Sequence, residues 1–402
     1  MHICFLTDSI FSFGGVQRVT AVIAKELAKR HRVTIVTFDH PDREDTGMYG
    51  LSEADISYVF TSYAPVSVSK ALLCRTYSFL YRKVLPKTRL TSALYALSSF
   101  PSQRRKPLEA LLSQGKYDAV VGVHAPLAIR LATMSHCLKG SKTIGWIHNS
   151  FDALYGKGSP YIGHELEAHC ICQYRKLSHT VVLCHYDAAI YEQRHGFRPT
   201  VIYNPLTVVP RQQATGKNKR FLAIGRFSHS HKGFDLLIEA FHLFLKQHEH
   251  DASQDCPTER WTLDIVGEGP EQTLYETLIH KYHLEDRVFL HPFTKNIHTY
   301  YEQASFYVLS SRWEGFGLVL TEAMAHGLPV ISSDLPTSKE ILGETALYFP
   351  NGNVKALAEQ LHVATTANWN KWSERSGKRA SLFSIPRIAS QWEAILSHEE
   401  AQ

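Results

Sequence analysis

The chain has 402 residues, of which 44% are hydrophobic and 20% charged, and its formal net charge is +5. This composition is ordinary for a globular protein that is long enough for two domains. No apolar run is long enough to cross a bilayer, and Asp8 interrupts the first apolar segment, so we expect neither a membrane-spanning helix nor a secretory signal.

The seven cysteines are odd in number and scattered along the chain, which predicts free thiols in a reducing compartment, the cytoplasm. Cys170 and Cys172 follow His169 closely. A Cys-Xaa-Cys pair with no second pair nearby is a poor zinc signature, however. The sequence therefore predicts no metal site.

Short apolar runs alternate with segments of helical periodicity through the first half of the chain. The predicted strands are 2–6, 32–38, 119–123, 142–147, 180–184 and 200–202, and the predicted helices are 16–29, 126–134, 165–176 and 186–195. Strands that alternate with helices in this way favour a parallel, doubly wound α/β sheet.

A glycine turn joins the first strand to the first helix. Gly14 and Gly15 lie in this turn, where the exposed N–H groups of the helix start suit a phosphate. Asp39 closes the second strand and could hold a ribose, which would fit a dinucleotide redox site. The Gly-Xaa-Gly-Xaa-Xaa-Gly spacing of such a site is missing, so the first half alone gives only a weak prediction.

The segment 56–108 contains nine Lys and Arg residues and no Asp or Glu. Aromatic and aliphatic residues lie between these cations, as in a basic amphipathic helix on an anionic membrane. A solvated helix packed on its apolar side and a nucleic-acid surface are the alternatives, although no nucleic-acid module is evident. We favour membrane contact, and four cations represent it: Arg82, Lys83, Arg104 and Arg105.

A segment rich in proline, glycine and polar residues, 204–218, has the composition of an interdomain linker. A second series follows, with predicted strands at 221–224, 262–266, 288–290, 306–309 and 329–332 and a helix at 234–247. We therefore expect two mononucleotide-type domains in tandem, with a ligand cleft between them.

Polar residues and glycines follow the first two strands of the second series. Arg226 and Lys232 lie in the first of these loops, where fixed cations can neutralise a diphosphate and stabilise its departure. Two solvated loop cations are the alternative. Gly267 ends the next strand, and it permits either close approach of a ligand or a plain strand-to-helix turn.

Two glutamates flank a Gly-Phe-Gly segment after a later strand. Glu314 precedes this segment and can reach sugar hydroxyls, whereas Glu322 follows on a helix with small and apolar neighbours. The N–H groups of that glycine-opened helix suit a phosphate. A buried carboxylate such as Glu322 needs hydrogen bonds, for example from ribose hydroxyls. The alternative, two glutamates on an ordinary helix, requires the glycines to be a coincidence.

Together, these stretches closely resemble the retaining nucleotide-sugar glycosyltransferases of family 4. The resemblance spans nearly the whole chain and implies the GT-B fold, in which two Rossmann-like domains face each other across a cleft. It implies an acceptor-side domain at 1–204, a donor-binding domain at 205–384 and a final helix at about 385–402 that returns to the first domain. The stretch WIHN resembles the position of the family's active-site histidine, which makes His148 the candidate.

The resemblance also implies roles for the matching residues. Arg226 and Lys232 would hold the donor diphosphate, Glu314 and His148 would contact the donor sugar, and Glu322 would bind the ribose. The other donor-binding positions would be Gly14, Gly15, Gly267, Phe316, Gly317 and Leu318. No carboxylate stands out as a nucleophile, so a front-face mechanism is favoured. No Asp-Xaa-Asp motif follows a strand, so we expect neither a metal nor another cofactor.

Two features of these loops depart from that pattern or add to it. Trp313 is bulkier than the residue that usually precedes the first glutamate, and we expect it to shape the sugar pocket. His229 and His231 lie between the two loop cations, and we expect both to be solvated bystanders.

The implied activity is retaining hexosyl or N-acetylhexosaminyl transfer from a UDP-sugar, or else a GDP-sugar, to a lipid-linked glycan in cell-surface polysaccharide or glycoconjugate assembly. The basic segment fits a cytoplasmic enzyme that is peripheral at the inner face of the membrane. A soluble sugar or protein acceptor, a non-catalytic GT-B subunit and an NAD oxidoreductase are the alternatives. The intact set of cations and glutamates disfavours a non-catalytic subunit, and the glycine spacing disfavours an NAD oxidoreductase.

Overall fold

A computed structural model describes residues 1–157, 159–251 and 261–397 of the chain. The chain divides into two compact units, one formed by Met1–Pro205 with Ile385–Gln402 and the other by Leu206–Ser384. Each unit is built on its own parallel sheet with helices between the strands. The predicted α/β class is therefore confirmed.

The first unit contains a seven-stranded sheet in the order β3-β2-β1-β4-β5-β6-β7. Its strands are β1 (His2–Thr7), β2 (Arg32–Thr37), β3 (Ile56–Phe60), β4 (Ala119–Val123), β5 (Lys142–Trp146), β6 (His179–Val182) and β7 (Thr200–Val201). Its helices up to the linker are α1 (Gly15–Ala28), α2 (Val68–Lys83), α3 (Arg89–Ser99), α4 (Ser102–Gln114), α5 (Ala125–Met134), α6 (Phe151–Tyr155), α7 (Glu167–Tyr174) and α8 (His185–His195).

Strand β1 lies in the middle of this sheet. It pairs in parallel with β2 and β4, so that Ile3 lies between Val33 and Ala119. The residues from Ile3 to Leu6 are fully buried. Burial on both faces explains why the central strands are continuous apolar runs and do not alternate with polar residues.

The segment 56–108 differs from the single basic helical segment that the sequence predicted. It begins with the edge strand β3 and continues as the three helices α2, α3 and α4. Thr88 starts α3 with a capping box, in which its side chain and that of Thr91 each accept a hydrogen bond from the other's backbone N–H. Pro101 precedes α4. These local signals divide the segment because each one favours a new helix start.

The second unit contains a six-stranded parallel sheet in the order β10-β9-β8-β11-β12-β13. Its strands are β8 (Arg220–Ile224), β9 (Thr262–Val266), β10 (Val288–His291), β11 (Phe306–Leu309), β12 (Val330–Ser333) and β13 (Ala346–Phe349). Its helices are α9 (His229–Lys232), α10 (Phe234–Asp251), α11 (Gln272–Lys281), α12 (His298–Gln303), α13 (Leu318–Ala325), α14 (Pro336–Leu342), α15 (Val354–Thr366) and α16 (Trp369–Ala380).

The last described helix, α17 (Ile385–Leu396), belongs to the first unit. Trp392 is fully buried, and its ring lies 4.6 Å from that of Trp146 at the end of β5. Glu393 lies 3.0 Å from both Arg30 and His31, which follow α1. This helix therefore completes the core and one charged cluster of the first unit.

Candidate active site

The loops after β8 and β11 come into direct contact in the second unit. Gly233 has a left-handed φ of 64°, and a Cβ at this position would lie 2.2 Å from the carbonyl oxygen of Ser310. The Ser310 hydroxyl donates a 2.9 Å hydrogen bond to the Lys232 carbonyl. Only glycine permits this approach, which brings the side chain of Lys232 next to the loop that carries Glu314.

Lys232 and Glu314 form an ion pair that is largely buried. The two side chains are 13% and 7% exposed, and the same oxygen, Oε1 of Glu314, accepts a 2.9 Å hydrogen bond from Ser311. Burial alone would raise the pKa of Glu314. The charge of Lys232 and the nearby His231 outweigh burial and hold this pKa far below its usual range. The sequence predicted both residues, and the structure brings them together.

His231 and Trp313 stack face to face beside this ion pair. Their ring centroids are 3.7 Å apart, and the ring planes are 7° from parallel. Nε2 of His231 lies 3.6 Å from Oε1 of Glu314, which is longer than a hydrogen bond. The expectation that His231 is a solvated bystander is wrong, because the indole of Trp313 covers its ring.

Glu322 lies on α13, which begins after Gly317 in a left-handed conformation with φ of 76°. Its side chain is buried, and its two carboxylate oxygens accept hydrogen bonds from Thr207 at 2.8 Å and Tyr301 at 2.9 Å. The sequence predicted a buried carboxylate that needs donors. It did not identify these two hydroxyls, which come from segments far away in the chain.

The other predicted donor-binding residues of this unit lie around the same strand ends. Arg226 is exposed on the loop after β8, Leu318 is half-buried, and Phe316 is buried with its ring 5.9 Å from that of Phe383. A Cβ on Gly267 would lie 1.9 Å from the carbonyl oxygen of Gly225. Gly267 thus has a structural requirement of its own, since it lets the ends of β8 and β9 approach.

The predicted glycine loop of the first unit lies between β1 and α1. Gly14 and Gly15 are exposed, and the Gly14 N–H donates a 3.0 Å hydrogen bond to the Tyr49 hydroxyl. That hydroxyl in turn donates to the Ser12 carbonyl at 2.9 Å. Tyr49 was not identified from the sequence, since nothing in its local pattern connects it to a loop 35 residues earlier.

Asp39 holds this loop through hydrogen bonds to its side chain. Its carboxylate accepts hydrogen bonds from the Ser9 hydroxyl and the Ile10 N–H, both at 2.7 Å, and from the Thr37 hydroxyl at 2.8 Å. Burial opposes ionisation, yet these donors lower the pKa of Asp39. The Phe11 N–H donates a further hydrogen bond at 3.2 Å, so the carboxylate is engaged by its own chain and holds the loop.

His148 follows β5 and is buried against two aromatic rings. Its ring lies 4.4 Å from that of Trp146 and 5.4 Å from that of His124. Nε2 of His148 is buried without a hydrogen-bond partner among the described residues. Burial, and to a lesser degree the proximity of His124, lower its pKa well below the usual value, so the ring is neutral.

His124 was missed by the sequence analysis. It follows β4, the neighbour of β5, and has a positive φ of 74°, which is uncommon for a residue other than glycine. Its backbone N–H donates a 2.9 Å hydrogen bond to the Trp146 carbonyl. This hydrogen bond joins two neighbouring strand ends, next to which the rings of His124 and His148 lie.

Two groups in the described part of the chain offer metal-ligating atoms within 4.8 Å of one another. They are Glu109 with His136 and Cys137, and His298 with Glu302 and His326. In the second group Nδ1 of His298 and Nε2 of His326 are 3.0 Å apart, which is a hydrogen-bond distance. His169 of the Cys-Xaa-Cys segment lies 2.8 Å from the Ser92 hydroxyl.

The predicted membrane-contact cations are distributed over α2 and α4. Arg82, Lys83 and Arg104 are exposed, although Arg82 lies 3.9 Å from Glu165. Arg105 is only 18% exposed and pairs with Glu109 at 3.0 Å. Across the residues that the structure describes, we find no helix that is both long and apolar enough to span a membrane.

Comparisons with known proteins identify the family of the chain. Residues 208–380 match the sequence model of the family Glycosyl transferases group 1, and residues 13–208 match that of Glycosyltransferase Family 4. The chain is 25% identical over 317 residues to an uncharacterized glycosyltransferase of Haemophilus influenzae, an alignment that covers 75% of this chain and 85% of the relative.

Two further proteins are informative. The lipopolysaccharide core biosynthesis mannosyltransferase LpsB of Rhizobium meliloti is 28% identical over 41% of this chain and 47% of its own length. The structure of Anabaena HepE in complex with UDP and glucose superposes with a TM-score of 0.73 at 18% identity and covers 99% of this chain and 100% of HepE. The two matched families, the relatives and the shared fold establish that the chain is a group 1 glycosyltransferase with the GT-B fold.

Proposed function

We propose that this protein is a retaining glycosyltransferase that moves a sugar from a nucleotide-diphosphate sugar to a hydroxyl of a lipid-linked glycan. One observation carries the donor half of the proposal. A largely buried lysine and a buried glutamate are paired in the loops that follow the neighbouring strands β8 and β11. Ligands of open α/β sheets bind at such strand ends, and this pair offers a cation for phosphate together with an acceptor for sugar hydroxyls.

Donor binding would use the polar groups in a fixed order along the ligand. Glu322 would accept hydrogen bonds from the ribose, and the N–H groups at the start of α13 would meet the diphosphate together with Lys232 and Arg226. Glu314 would bind hydroxyls of the donor sugar. The ion pair between Lys232 and Glu314 keeps both charges in place before the donor arrives, so less reorganisation is needed during the reaction.

The chemical step would be a front-face substitution. The bond from the anomeric carbon to the diphosphate oxygen breaks, and the acceptor oxygen bonds to the same face of that carbon. The departing phosphate oxygen takes the proton of the acceptor hydroxyl, so the anomeric configuration is retained. Lys232 and Arg226 would stabilise the negative charge that develops on the leaving group. His148 would contact the sugar as a neutral ring.

A UDP-sugar is the favoured donor, with a hexosyl or N-acetylhexosaminyl group, and a GDP-sugar is the alternative. The complex of HepE with UDP and glucose supports the choice of base, because the two folds superpose over nearly their full lengths. No metal or other cofactor is included, since the two cations are available to neutralise the diphosphate.

The proposed acceptor is a lipid-linked glycan. It is supported by the name of LpsB, which acts in lipopolysaccharide core biosynthesis, and by the cations of α2 and α4. An enzyme of this kind would be cytoplasmic and peripheral at the inner face of the membrane. Arg82, Lys83 and Arg104 would contact anionic headgroups. Arg105 would contribute less, since Glu109 neutralises it.

Thermal-shift measurements with UDP, GDP, ADP and NAD test the donor site. We expect UDP to raise the melting temperature and Lys232→Ala to abolish this rise. Lys355→Ala is the matched control, because Lys355 is an exposed lysine on α15 of the same unit. A rise with NAD alone would contradict the proposal.

The acceptor and the stereochemistry need a separate assay. Transfer should require a lipid-linked glycan in detergent or vesicles, and the new anomeric proton should keep the configuration of the donor by NMR. Equal rates with a soluble sugar or a protein acceptor would contradict the proposed acceptor class. The proposed transferase activity would still stand. Binding of UDP without transfer to any acceptor would favour a non-catalytic subunit.

A further inference from the structure

Exposed apolar side chains are concentrated on two helices of the first unit. Of the 17 large hydrophobic residues that are substantially exposed in the described chain, nine lie between residues 68 and 97. They are Val68, Leu72, Leu73, Phe79, Leu80, Val84, Leu90, Leu94 and Leu97. A monomeric soluble protein rarely leaves so many neighbouring apolar groups in water, and such clusters mark interaction surfaces.

These side chains follow helical spacing on both helices. On α2 the positions 68, 72 and 79 lie on one stripe, and 73 and 80 lie on the adjacent one. On α3 the positions 90, 94 and 97 form a stripe of their own. Residues three, four and seven apart share a helix face, so α3 presents one apolar stripe to solvent, and α2 presents two stripes with the exposed residues Ser69, Thr76 and Lys83 between them. We call these two faces together the α2–α3 apolar surface.

The opposite faces of the two helices are packed. The rings of Tyr81 and Tyr95 stack with centroids 4.5 Å apart, and the Tyr77 hydroxyl donates a 3.0 Å hydrogen bond to the Thr91 carbonyl. Ser92 contacts His169 of α7 at 2.8 Å. The helices are therefore held to each other and to the unit through tyrosines, and the apolar surface is not needed for that packing.

The charges among these residues indicate what covers the surface. Residues 68–97 contain six cations and no acidic residue: Lys70, Arg75, Arg82, Lys83, Lys87 and Arg89. A second copy of the chain would bring the same cations against each other, which is unfavourable. An anionic bilayer matches both the exposed apolar side chains and the positive charge of this surface. Lipid tails take up apolar side chains, and headgroup phosphates attract cations.

We propose that the α2–α3 apolar surface inserts into the interfacial layer of an anionic bilayer, with its leucines and Phe79 below the headgroups and its cations at their level. The inference rests on the proposed function, because a lipid-linked acceptor has to be met at the bilayer. The sequence predicted membrane contact through four cations. In this proposal, the apolar side chains contribute most of the binding free energy.

Vesicle sedimentation of the full chain tests this proposal. The vesicles contain phosphatidylcholine with phosphatidylglycerol, and binding is measured at 0.1 M and 0.5 M NaCl. Salt weakens headgroup attraction and leaves apolar burial intact, so the wild type should remain bound at high salt. Leu72→Ser/Leu73→Ser/Phe79→Ser should bind at low salt and lose about tenfold or more of its binding at high salt.

A matched control replaces three exposed apolar residues of the other unit, Leu274→Ser/Phe289→Ser/Val363→Ser, and should bind like the wild type at both salt concentrations. Circular dichroism and the thermal shift with UDP confirm that every variant is folded. These two readouts are independent of vesicles, so failure of the donor site and failure of insertion give different results.

Three results would overturn the inference. One is complete release of the wild type at 0.5 M NaCl, which means that the contact is electrostatic only. Another is unchanged high-salt binding of the serine variant. The third is a wild-type dimer without vesicles that the serine substitutions convert to a monomer, which would assign the surface to a second copy of the chain.

Discussion

Each unit places a pair of titratable residues after two neighbouring strands, but the two pairs differ in charge. Lys232 and Glu314 follow the neighbouring strands β8 and β11, whereas His124 and His148 follow the neighbouring strands β4 and β5. Burial opposes charge in both places. Opposite charges meet in the second unit, and Glu314 stays ionised. Two similar rings meet in the first unit, and His148 stays neutral.

One sheet architecture can therefore hold an ionic pair in one unit and a neutral pair in the other. A buried charge persists where a neighbouring strand end supplies its counter-charge, as at Glu314, or where hydrogen-bond donors surround it, as at Asp39. The architecture fixes where the residues lie, and the identity of one neighbour decides whether the site is ionic.

The largest expected effect comes from removing the counter-charge. Lys232→Met leaves the carboxylate of Glu314 buried beside Ser311 without a cation, and we expect the free energy of unfolding at pH 7 to fall by roughly 3–5 kcal/mol. Urea denaturation measures this loss. Lys232→Met/Glu314→Gln should recover part of it, because the uncompensated charge is then gone. Equal stability of both variants would show that the pair does not determine the ionisation of this site.

The pH dependence follows from the direction of the shift. The folded-state pKa of Glu314 is lowered, so its contribution to stability is present above the ordinary glutamate pKa of about 4.3 and is lost as the pH falls below that value. Glu314→Gln should therefore flatten the acid limb of the stability curve.

The second effect concerns catalysis at the neutral strand end. His148→Ala should lower kcat by about 100-fold, the scale that one positioned polar group contributes, and leave the UDP-induced thermal shift unchanged. Initial rates with the donor sugar measure this. Loss of the UDP shift as well would mean that His148 also supports nucleotide binding, which would contradict the prediction.

The neutrality of His148 has its own test. Its folded-state pKa is lowered, so stability should fall as the pH drops below the ordinary histidine pKa of about 6.5, where the unfolded chain takes up a proton. His148→Gln should remove this share of the pH dependence. His136→Gln, at an exposed position of the same unit, should not.

A smaller effect is expected where the ends of β8 and β9 approach each other closely in the second unit. Gly267→Ala forces a Cβ against the Gly225 carbonyl and should destabilise the protein by about 1–3 kcal/mol. Gly377→Ala on α16 is the control, since its Cβ would meet nothing within 4 Å and alanine favours a helix. Thermal melts compare the two. Equal effects would mean that the approach is not required.

The smallest effect is expected at Asp39, where hydrogen-bond donors of the same unit stabilise the carboxylate charge. Asp39→Asn keeps one acceptor oxygen and loses the charge that strengthens the bonds from Ser9, Ile10 and Thr37. We expect a loss of about 1–2 kcal/mol in the free energy of unfolding, again by urea denaturation. The UDP shift should persist, because Asp39 supports the glycine loop and does not bind the nucleotide. A larger loss of UDP affinity than of stability would contradict this assignment.

Much of the fold follows from local pattern. The central strands are continuous apolar runs followed by glycine or polar residues, and this signal predicts them within one or two positions. The edge strands β3 and β13 were missed. Ile56–Phe60 is only partly buried, so its pattern is weaker than that of a central strand, and it adjoins a basic segment that suggested helix.

The places of Lys232 and Glu314 after their strands were predictable, because each residue is positioned by its own loop; the roles of the two residues stay predictions. The stack of His231 on Trp313 was not predictable, because it joins loops that are far apart in sequence and depends on the close contact at Gly233. The same reason applies to Tyr49 and to the hydroxyls that hold Glu322. The neutralisation of Arg105 could have been found. Glu109 lies four residues later on the same helix, just beyond the acid-free segment.

The return of α17 to the first unit has a consequence for synthesis of the chain. Trp392 closes the core next to Trp146, yet the ribosome reaches it only after the whole second unit has been made. At 5–20 residues per second, the first unit waits roughly 10–40 s with this part of its core open. The unit that begins the chain is therefore completed last, and a nascent first unit must keep an apolar groove unoccupied until its own final helix emerges.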